Sequence, residues 1–208
     1  MKHPILVVCT VLACASIGAA RARSEDTTAL AIGDAAPLAT VKMKNIDGRE
    51  LSIADVRGAK GTLVVFSCNA CPWARAWETR IVALGNAALR RDVGVIVINS
   101  NDPSMNAQDG FDVMKERARE RKMRYPYVVD GTSDVARAFG ATHTPEAFLF
   151  DARGRLVYHG TVDDNAHEPD KVEKRYLRDA VDAVVAGKPV EVQETKSLGC
   201  SIKFRPRD

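Results

Sequence analysis

Apolar and polar positions alternate along this chain with two different periods, and the changes of period mark its elements. Thr62-Leu63-Val64-Val65-Phe66 is an unbroken apolar run, short and β-branched, as a strand buried on both faces would be. After it, Trp77, Ile81, Leu84 and Ala88 recur at steps of three and four, which predicts a helix to about Arg91, with Pro72 in its first turn. Val93-Gly94-Val95-Ile96-Val97-Ile98 is a second buried strand. Two such strands around one helix make a βαβ unit, whose strands run parallel.

Around this unit the pattern is weaker but readable. Residues 41–44 and 49–53 alternate across Asn45-Ile46-Asp47-Gly48, a hairpin signal. Asn99 to Asp109 reads as a polar loop. Phe111 to Lys122 follows as a helix with Phe111, Met114 and Ala118 inward. Its Lys115, Arg117, Arg119, Arg121 and Lys122 alternate with Glu116 and Glu120, the composition of a solvated helix face rather than a nucleic-acid surface. Tyr127-Val128-Val129 is a short strand. Thr132 to Phe139 is a short helix closed by Gly140. Ala147 to Phe150 and Leu156 to Tyr158 flank Asp151-Ala152-Arg153-Gly154, the strongest hairpin signal in the chain. Val172 to Val185 is the last helix, ended by Gly187-Lys188-Pro189.

The N-terminus changes how the composition is read. Lys2 and His3 precede an apolar run from Ile5 to Ala20, and Ala20-Arg21-Ala22 has small residues where signal peptidase needs them. The expected organisation is a signal peptide at 1–22, a linker at 23–31, one domain at 32–187 and a tail at 188–208 packed on it. A lipid-anchored variant through Cys14 is the alternative. Either form places the protein in the periplasm or outside the cell, with no transmembrane segment in the mature chain. Removal of 1–22 takes two positive charges and no acid, so the net charge falls from +3 to +1 and basicity points to no partner. Cys9 and Cys14 leave with the signal, and Cys68, Cys71 and Cys200 remain. Three cysteines make no disulfide framework. They make one pair and one extra thiol.

The pair is the chemical centre. Cys68-Asn69-Ala70-Cys71-Pro72 joins a buried strand to a helix start. Residues i and i+3 are one helical turn apart, within disulfide reach. The helix amides and dipole stabilise a thiolate there, and the sequence reading gives it to Cys68 as attacking thiol, with Cys71 resolving. There is no second CxxC to complete a zinc site.

The order of elements, F-S-C-N-A-C-P-W, T-P-E-A-F-L-F-D and G-C-S-I-K-F together resemble the thioredoxin superfamily, in particular its secreted TlpA-type and peroxiredoxin-like members, over about Ile32 to Val185. The resemblance implies an α/β fold with a central mixed sheet flanked by helices, an N-terminal hairpin extension and an insert. It implies catalytic residues Cys68, Cys71, Thr144 and Pro145, with Pro145 cis beside the disulfide. Thr144 would then offer its backbone to an extended substrate. Thioredoxin's buried aspartate is replaced by Val65, which leaves Glu146 and His143 as candidate proton handlers. Trp73 and Trp77 read as packing residues, and His159 and His167 have no partner at ligand spacing.

The activity these residues imply is thiol–disulfide exchange on protein disulfides, with protein thiols and a redox partner as counterparts, and with no cofactor and no metal. Two alternatives use the same cysteines. A thiol peroxidase would need the P-x-x-x-T-x-x-C motif, and the approach to Cys68 has Leu63, Val64 and Val65 instead. A copper or zinc chaperone would use both thiolates as ligands. Cys200 is expected to be buried or half-buried, packing with Ile202 and Phe204 in a structural role. A third redox thiol and an intermolecular link are the other readings of it.

Overall fold

The computed structural model describes residues 30–207, so the expected signal peptide, Cys9 and Cys14 lie outside the described residues. In chain order the elements are β1 (Met43–Asn45), β2 (Glu50–Leu51), β3 (Gly61–Phe66), α1 (Pro72–Leu89), β4 (Val93–Asn99), α2 (Phe111–Glu120), β5 (Tyr127–Val129), α3 (Asp134–Phe139), β6 (His143–Thr144), β7 (Glu146–Asp151), β8 (Leu156–Gly160), α4 (Tyr176–Val185) and β9 (Cys200–Ser201).

Seven strands form one sheet in the order β2-β1-β5-β4-β3-β7-β8. β3 and β4 are parallel, as are β4 and β5, while β7 is antiparallel to β3 and β8 to β7. The hairpin of β1 and β2 extends the sheet at its β5 edge. Successive residues of β3 and β4 point to opposite faces. Leu63, Val65, Val95 and Val97 meet Trp77 and Ile81 of α1, Met114 of α2, and Leu177 and Val181 of α4. Val64, Phe66, Ile96 and Ile98 meet α3 and the N-terminal segment, around Phe139, Phe148 and Phe150. Both faces are covered, which is why β3 and β4 read as continuous apolar runs. This is a thioredoxin-like α/β fold with extra strands.

Two elements depart from the sequence pattern. α4 begins at Tyr176, four residues later than the periodicity suggests, because the Asp164 carboxylate takes the amides of Glu173 and Lys174 and holds them in a loop. The basic stretch on α2 is only partly a solvated face. Arg117 and Arg121 both pair with Glu78 of α1, itself nearly buried, at 2.9 Å for one Arg117 contact and 2.6 Å for Arg121.

The C-terminal tail is bound along its length. His159 and Gln193 share a backbone bond at 2.8 Å, Ile202 donates to Thr142, and Arg205 reaches Ser133 and the Asp130 carbonyl. Its β9 pairs with β6, His143 opposite Ser201 and Thr144 opposite Cys200. This second, two-stranded sheet lies beside the cysteines.

Candidate active site

β3 ends at Phe66, and the chain turns through Ser67 to Ala70 before α1 starts at Pro72. Both cysteines sit in that turn, at 6 % exposure for Cys68 and 3 % for Cys71, and all three described cysteines are free thiols. Cys71 is the N-cap of α1, and its sulfur accepts the Ala74 amide at 3.5 Å. The proline at the next position gives up no hydrogen bond there.

Thr144 stands between the thiols. Its hydroxyl is 3.3 Å from Cys68 Sγ and 3.5 Å from the Cys200 carbonyl, to which it donates. Its own carbonyl is 3.0 Å from Cys71 Sγ, which donates to it when protonated. The Thr144–Pro145 peptide is cis. The structure thus brings Cys68, Cys71, Thr144 and Pro145 to one place.

It also fills a space that the sequence reading leaves for substrate. The edge that Thr144 would present to an extended chain is occupied by the protein's own β9. Close approach is possible because residue 199 is glycine: a Cβ there would lie 2.3 Å from the Thr144 carbonyl oxygen. Cys200 follows directly. It is half-buried, as expected, but it packs with Cys68, Cys71, Ala74 and Trp73, while Ile202 and Phe204 pack in the cluster around Phe139.

The proton is distributed differently from the sequence expectation. The helix amide goes to Cys71, and so do hydrogen bonds from the Cys68 thiol and from the Cys200 thiol and amide. The Cys68 bond weighs most. Together they outweigh burial and the facing Thr144 carbonyl, and hold Cys71 down at about 4. Cys68 is pushed well above the ordinary thiol range, first because its proton is held by Cys71, then by burial and by the negative charge of Asp109. The two thiols share one proton and titrate as a pair. The directions of the two shifts put the charge of the reduced pair toward Cys71. Cys200 is pushed up to about 11, by burial first and then by its bond to Cys71.

Asp109 was hidden in what reads as a polar loop. It is buried, and one carboxylate oxygen accepts the amides of Asn69 at 2.7 Å and Ala70 at 2.9 Å, while the other accepts Asn101 Nδ2 at 2.8 Å. The Asn69 side chain donates to the Gln108 carbonyl and accepts from the Tyr127 hydroxyl. This network fixes the turn between the cysteines. The only sequence signal for it is the run of amide and acid side chains from Asn99 to Asp109, which carries no periodicity.

Among the described hydrogen bonds, neither candidate proton handler reaches a cysteine sulfur. Glu146 is buried and saturated: it accepts the amides of Thr142 and His143, the Ser197 hydroxyl at 2.9 Å, and pairs with His159 Nε2 at 2.7 Å. Burial raises its pKa, but these bonds, that of His159 first, outweigh burial and hold it below the usual value. His143 bonds Thr142 Oγ1 at 2.8 Å. Trp77 packs in the core and donates to Asp163 at 2.7 Å; Trp73 lies between Trp77 and His167. His159 stacks on Phe148.

A thioredoxin-like fold that gathers a buried thiol pair at a strand–helix turn defines a thiol-based redox enzyme. The chain belongs to the AhpC/TSA family, which matches residues 32–159. It is 26 % identical over 143 residues to the thiol-disulfide oxidoreductase ResA of Geobacillus thermodenitrificans (strain NG80-2), covering 66 % of this chain and 74 % of that protein. Two solved structures are closely similar. An uncharacterised conserved protein from Geobacillus kaustophilus superimposes with a TM-score of 0.79 at 33 % identity, covering 86 % of this chain and 95 % of that one. A hypothetical protein from Sinorhizobium meliloti 1021 does so with a TM-score of 0.79 at 30 % identity, over 86 % and 97 %.

Proposed function

We propose that this protein is a secreted, TlpA-type thiol–disulfide oxidoreductase that exchanges disulfides with other proteins through Cys68 and Cys71. The observation that carries this reading is the hydrogen-bonded thiol pair at the β3–α1 turn, packed against Thr144. The name of the ResA relative agrees with it. The N-terminal apolar run and its small-residue cleavage pattern support a setting outside the cytoplasm.

The steps follow from where the proton is. The Cys71 thiolate attacks one sulfur of a substrate disulfide, forms a mixed disulfide, and expels the other substrate sulfur as a thiolate, which takes a proton from water. Cys71 is then neutral and no longer holds the Cys68 proton, so Cys68 can ionise. Its thiolate attacks Cys71 Sγ, closes the Cys68–Cys71 disulfide, and releases the second substrate thiolate. The substrate gains two electrons and the pair loses two. A separate dithiol protein would return them. Asp109 and Asn69 keep the turn in shape throughout, and Thr144 keeps both sulfurs in register. Because β9 covers the Thr144 edge, substrate approaches beside the tail or displaces it.

Membership of the AhpC/TSA family gives peroxidase chemistry a place as the second reading, since the same thiolate could attack a peroxide oxygen. The surroundings of Cys71 argue against it. A peroxide needs donors around its oxygens, and the group 3.0 Å from Cys71 Sγ is the Thr144 carbonyl, an acceptor. The guanidinium nearest in sequence, Arg75, is bound to the Asn69 carbonyl at 2.8 Å.

The test compares two substrates. The reduced protein is given a protein disulfide or hydrogen peroxide, and its oxidation is followed by loss of alkylatable thiol. Faster oxidation by the disulfide, with a mixed disulfide trapped on Cys71 when Cys68 and Cys200 are both replaced by Ser, is the expected result. Faster oxidation by peroxide would replace this reading with the second.

A further inference from the structure

Cys200 is a thiol that the two-cysteine cycle does not use, yet it is built into the same site. Three independent contacts put it there. Its backbone is in register with Thr144, the residue that touches both other sulfurs. Its carbonyl accepts the Thr144 hydroxyl at 3.5 Å. Its side chain packs in one cluster with Cys68, Cys71, Ala74 and Trp73. The strand carrying it is anchored on both sides, by Ser197 on Glu146 and by Lys203 on Asn101. Gly199 allows that strand to lie on the Thr144 carbonyl, where any side chain would hold it off. A thiol present merely to fill apolar space would not need this placement. Cys200 is also the most accessible of the three, half-buried where the other two are buried.

We infer that Cys200 is a third redox thiol, which takes over Cys71 from Cys68 and carries the disulfide from the buried pair to the protein surface. This rests on the oxidoreductase reading above and adds a step to it. Starting from the Cys68–Cys71 disulfide, the Cys200 thiolate attacks Cys71 Sγ. A Cys71–Cys200 bond forms, the Cys68–Cys71 bond breaks, and Cys68 leaves as a thiolate that takes up the proton Cys200 gave up. No electron enters or leaves. An external dithiol then reduces the Cys71–Cys200 bond at its accessible end, gaining the disulfide itself. Cys71 is the shared residue because it packs in one cluster with both other thiols and its shift carries a contribution from each. The hydrogen bond and charge of the Cys71 thiolate that hold the proton on Cys200 vanish once Cys71 is oxidised. Cys200 is therefore a better nucleophile when there is a disulfide to attack.

The arrangement also separates two encounters. Substrate disulfide meets the Cys71 thiolate in the reduced site, and the reductant meets Cys200 in the oxidised one. A site with only a buried pair would have to admit both at the same two sulfurs.

The experiment uses the whole mature chain, wild type and Cys68→Ser, each oxidised with one equivalent of diamide. Free thiols are quenched with acid and alkylated, and disulfides are mapped by non-reducing peptide mass spectrometry. The wild-type chain is expected to give both Cys68–Cys71 and Cys71–Cys200 disulfides, with the share of each constant once exchange is complete. Cys68→Ser is expected to give a monomeric Cys71–Cys200 disulfide, with Cys71 and Cys200 lost together from alkylation. A Cys68–Cys71 disulfide in the wild type, with Cys200 fully alkylatable both there and in Cys68→Ser, overturns this inference and leaves the oxidoreductase reading intact. Formation of neither intramolecular disulfide overturns both. The wild-type arm stands by itself if Cys68→Ser does not fold.

Discussion

The cysteine turn is held from two sides, and the two sides work differently. On one side Asp109 takes the amides of Asn69 and Ala70 with a buried charge, inside a net of amide and phenol groups. On the other, Thr144 and the tail strand β9 touch the sulfurs themselves. The first side shapes the loop and adds its charge to the Cys71 hydrogen bond and the burial that push the Cys68 thiol up. The second adds donors to Cys71, beside that of Cys68, and so helps to keep it ionised. A buried carboxylate in this place does the opposite of a proton acceptor. The difference teaches that the acidity order of the two thiols is set by what surrounds the motif and not by position within it.

Removing the group on which both sides converge should have the largest effect. Cys71→Ser is expected to abolish disulfide exchange and to remove the fast alkylation that the lowered Cys71 pKa predicts for the wild-type protein at acidic pH. Alkylation midpoints measured on Cys68→Ser and Cys71→Ser separately check the order, and a lower midpoint at Cys68 would reverse it. Next in size is the Asp109 side. Asp109→Ala leaves three buried donors without a partner and should cost about 3 kcal/mol in urea unfolding. Asp109→Asn keeps most of the bonds but drops the charge, so it should speed alkylation of Cys68 with a smaller loss of stability. Unchanged Cys68 reactivity in Asp109→Asn would mean that the charge does not reach the thiol.

The tail side is expected to be softer. Glu146→Gln weakens the His159 and Ser197 contacts and should cost about 2 kcal/mol. The same loss should appear in the wild-type protein on acidification. The folded pKa of Glu146 lies below its ordinary value, so its stabilising effect is complete above the carboxylate range and fades as pH falls through the folded pKa. Amide exchange at Ser197 to Ser201 reads this directly, and protection unaffected by acid in Glu146→Gln but lost in the wild type is the expected pairing. The smallest effect is reserved for a site remote from both sides. Arg121→Ala removes one half-exposed arm of the Glu78 pair and should change stability by about 0.5 kcal/mol without touching exchange.

Much of this was readable beforehand. The two apolar runs at 62–66 and 93–98, the helix between them and the hairpin after Pro145 are local patterns, and they suffice to bring Thr144 to the cysteines. What was not readable depends on contacts between distant segments. Asp109 sits in a stretch without periodicity, and nothing in that stretch announces that one carboxylate is buried under the cysteine loop. Cys200 belongs to a recognisable G-C-S-I-K-F stretch, but its partner lies across a pairing that local pattern does not encode. Gly199 was the available clue, since a glycine in an alternating segment suggests close backbone approach. The acidity order failed for the same reason. The donors that decide it come in part from Cys200, and the carboxylate that opposes them at Cys68 comes from Asp109.

The pairing of β9 with β6 has a consequence for the birth of the protein. A chain is made from its N-terminus, so Cys68, Cys71 and Thr144 are complete while Cys200 is still to come. The contact that closes the site spans 56 residues, and it forms only after residue 200 has been made. Until then the nascent chain carries its two earlier thiols without the strand that covers them. The window in which they can be captured by another protein therefore ends with the arrival of β9, and a chain cut short before residue 199 never leaves it.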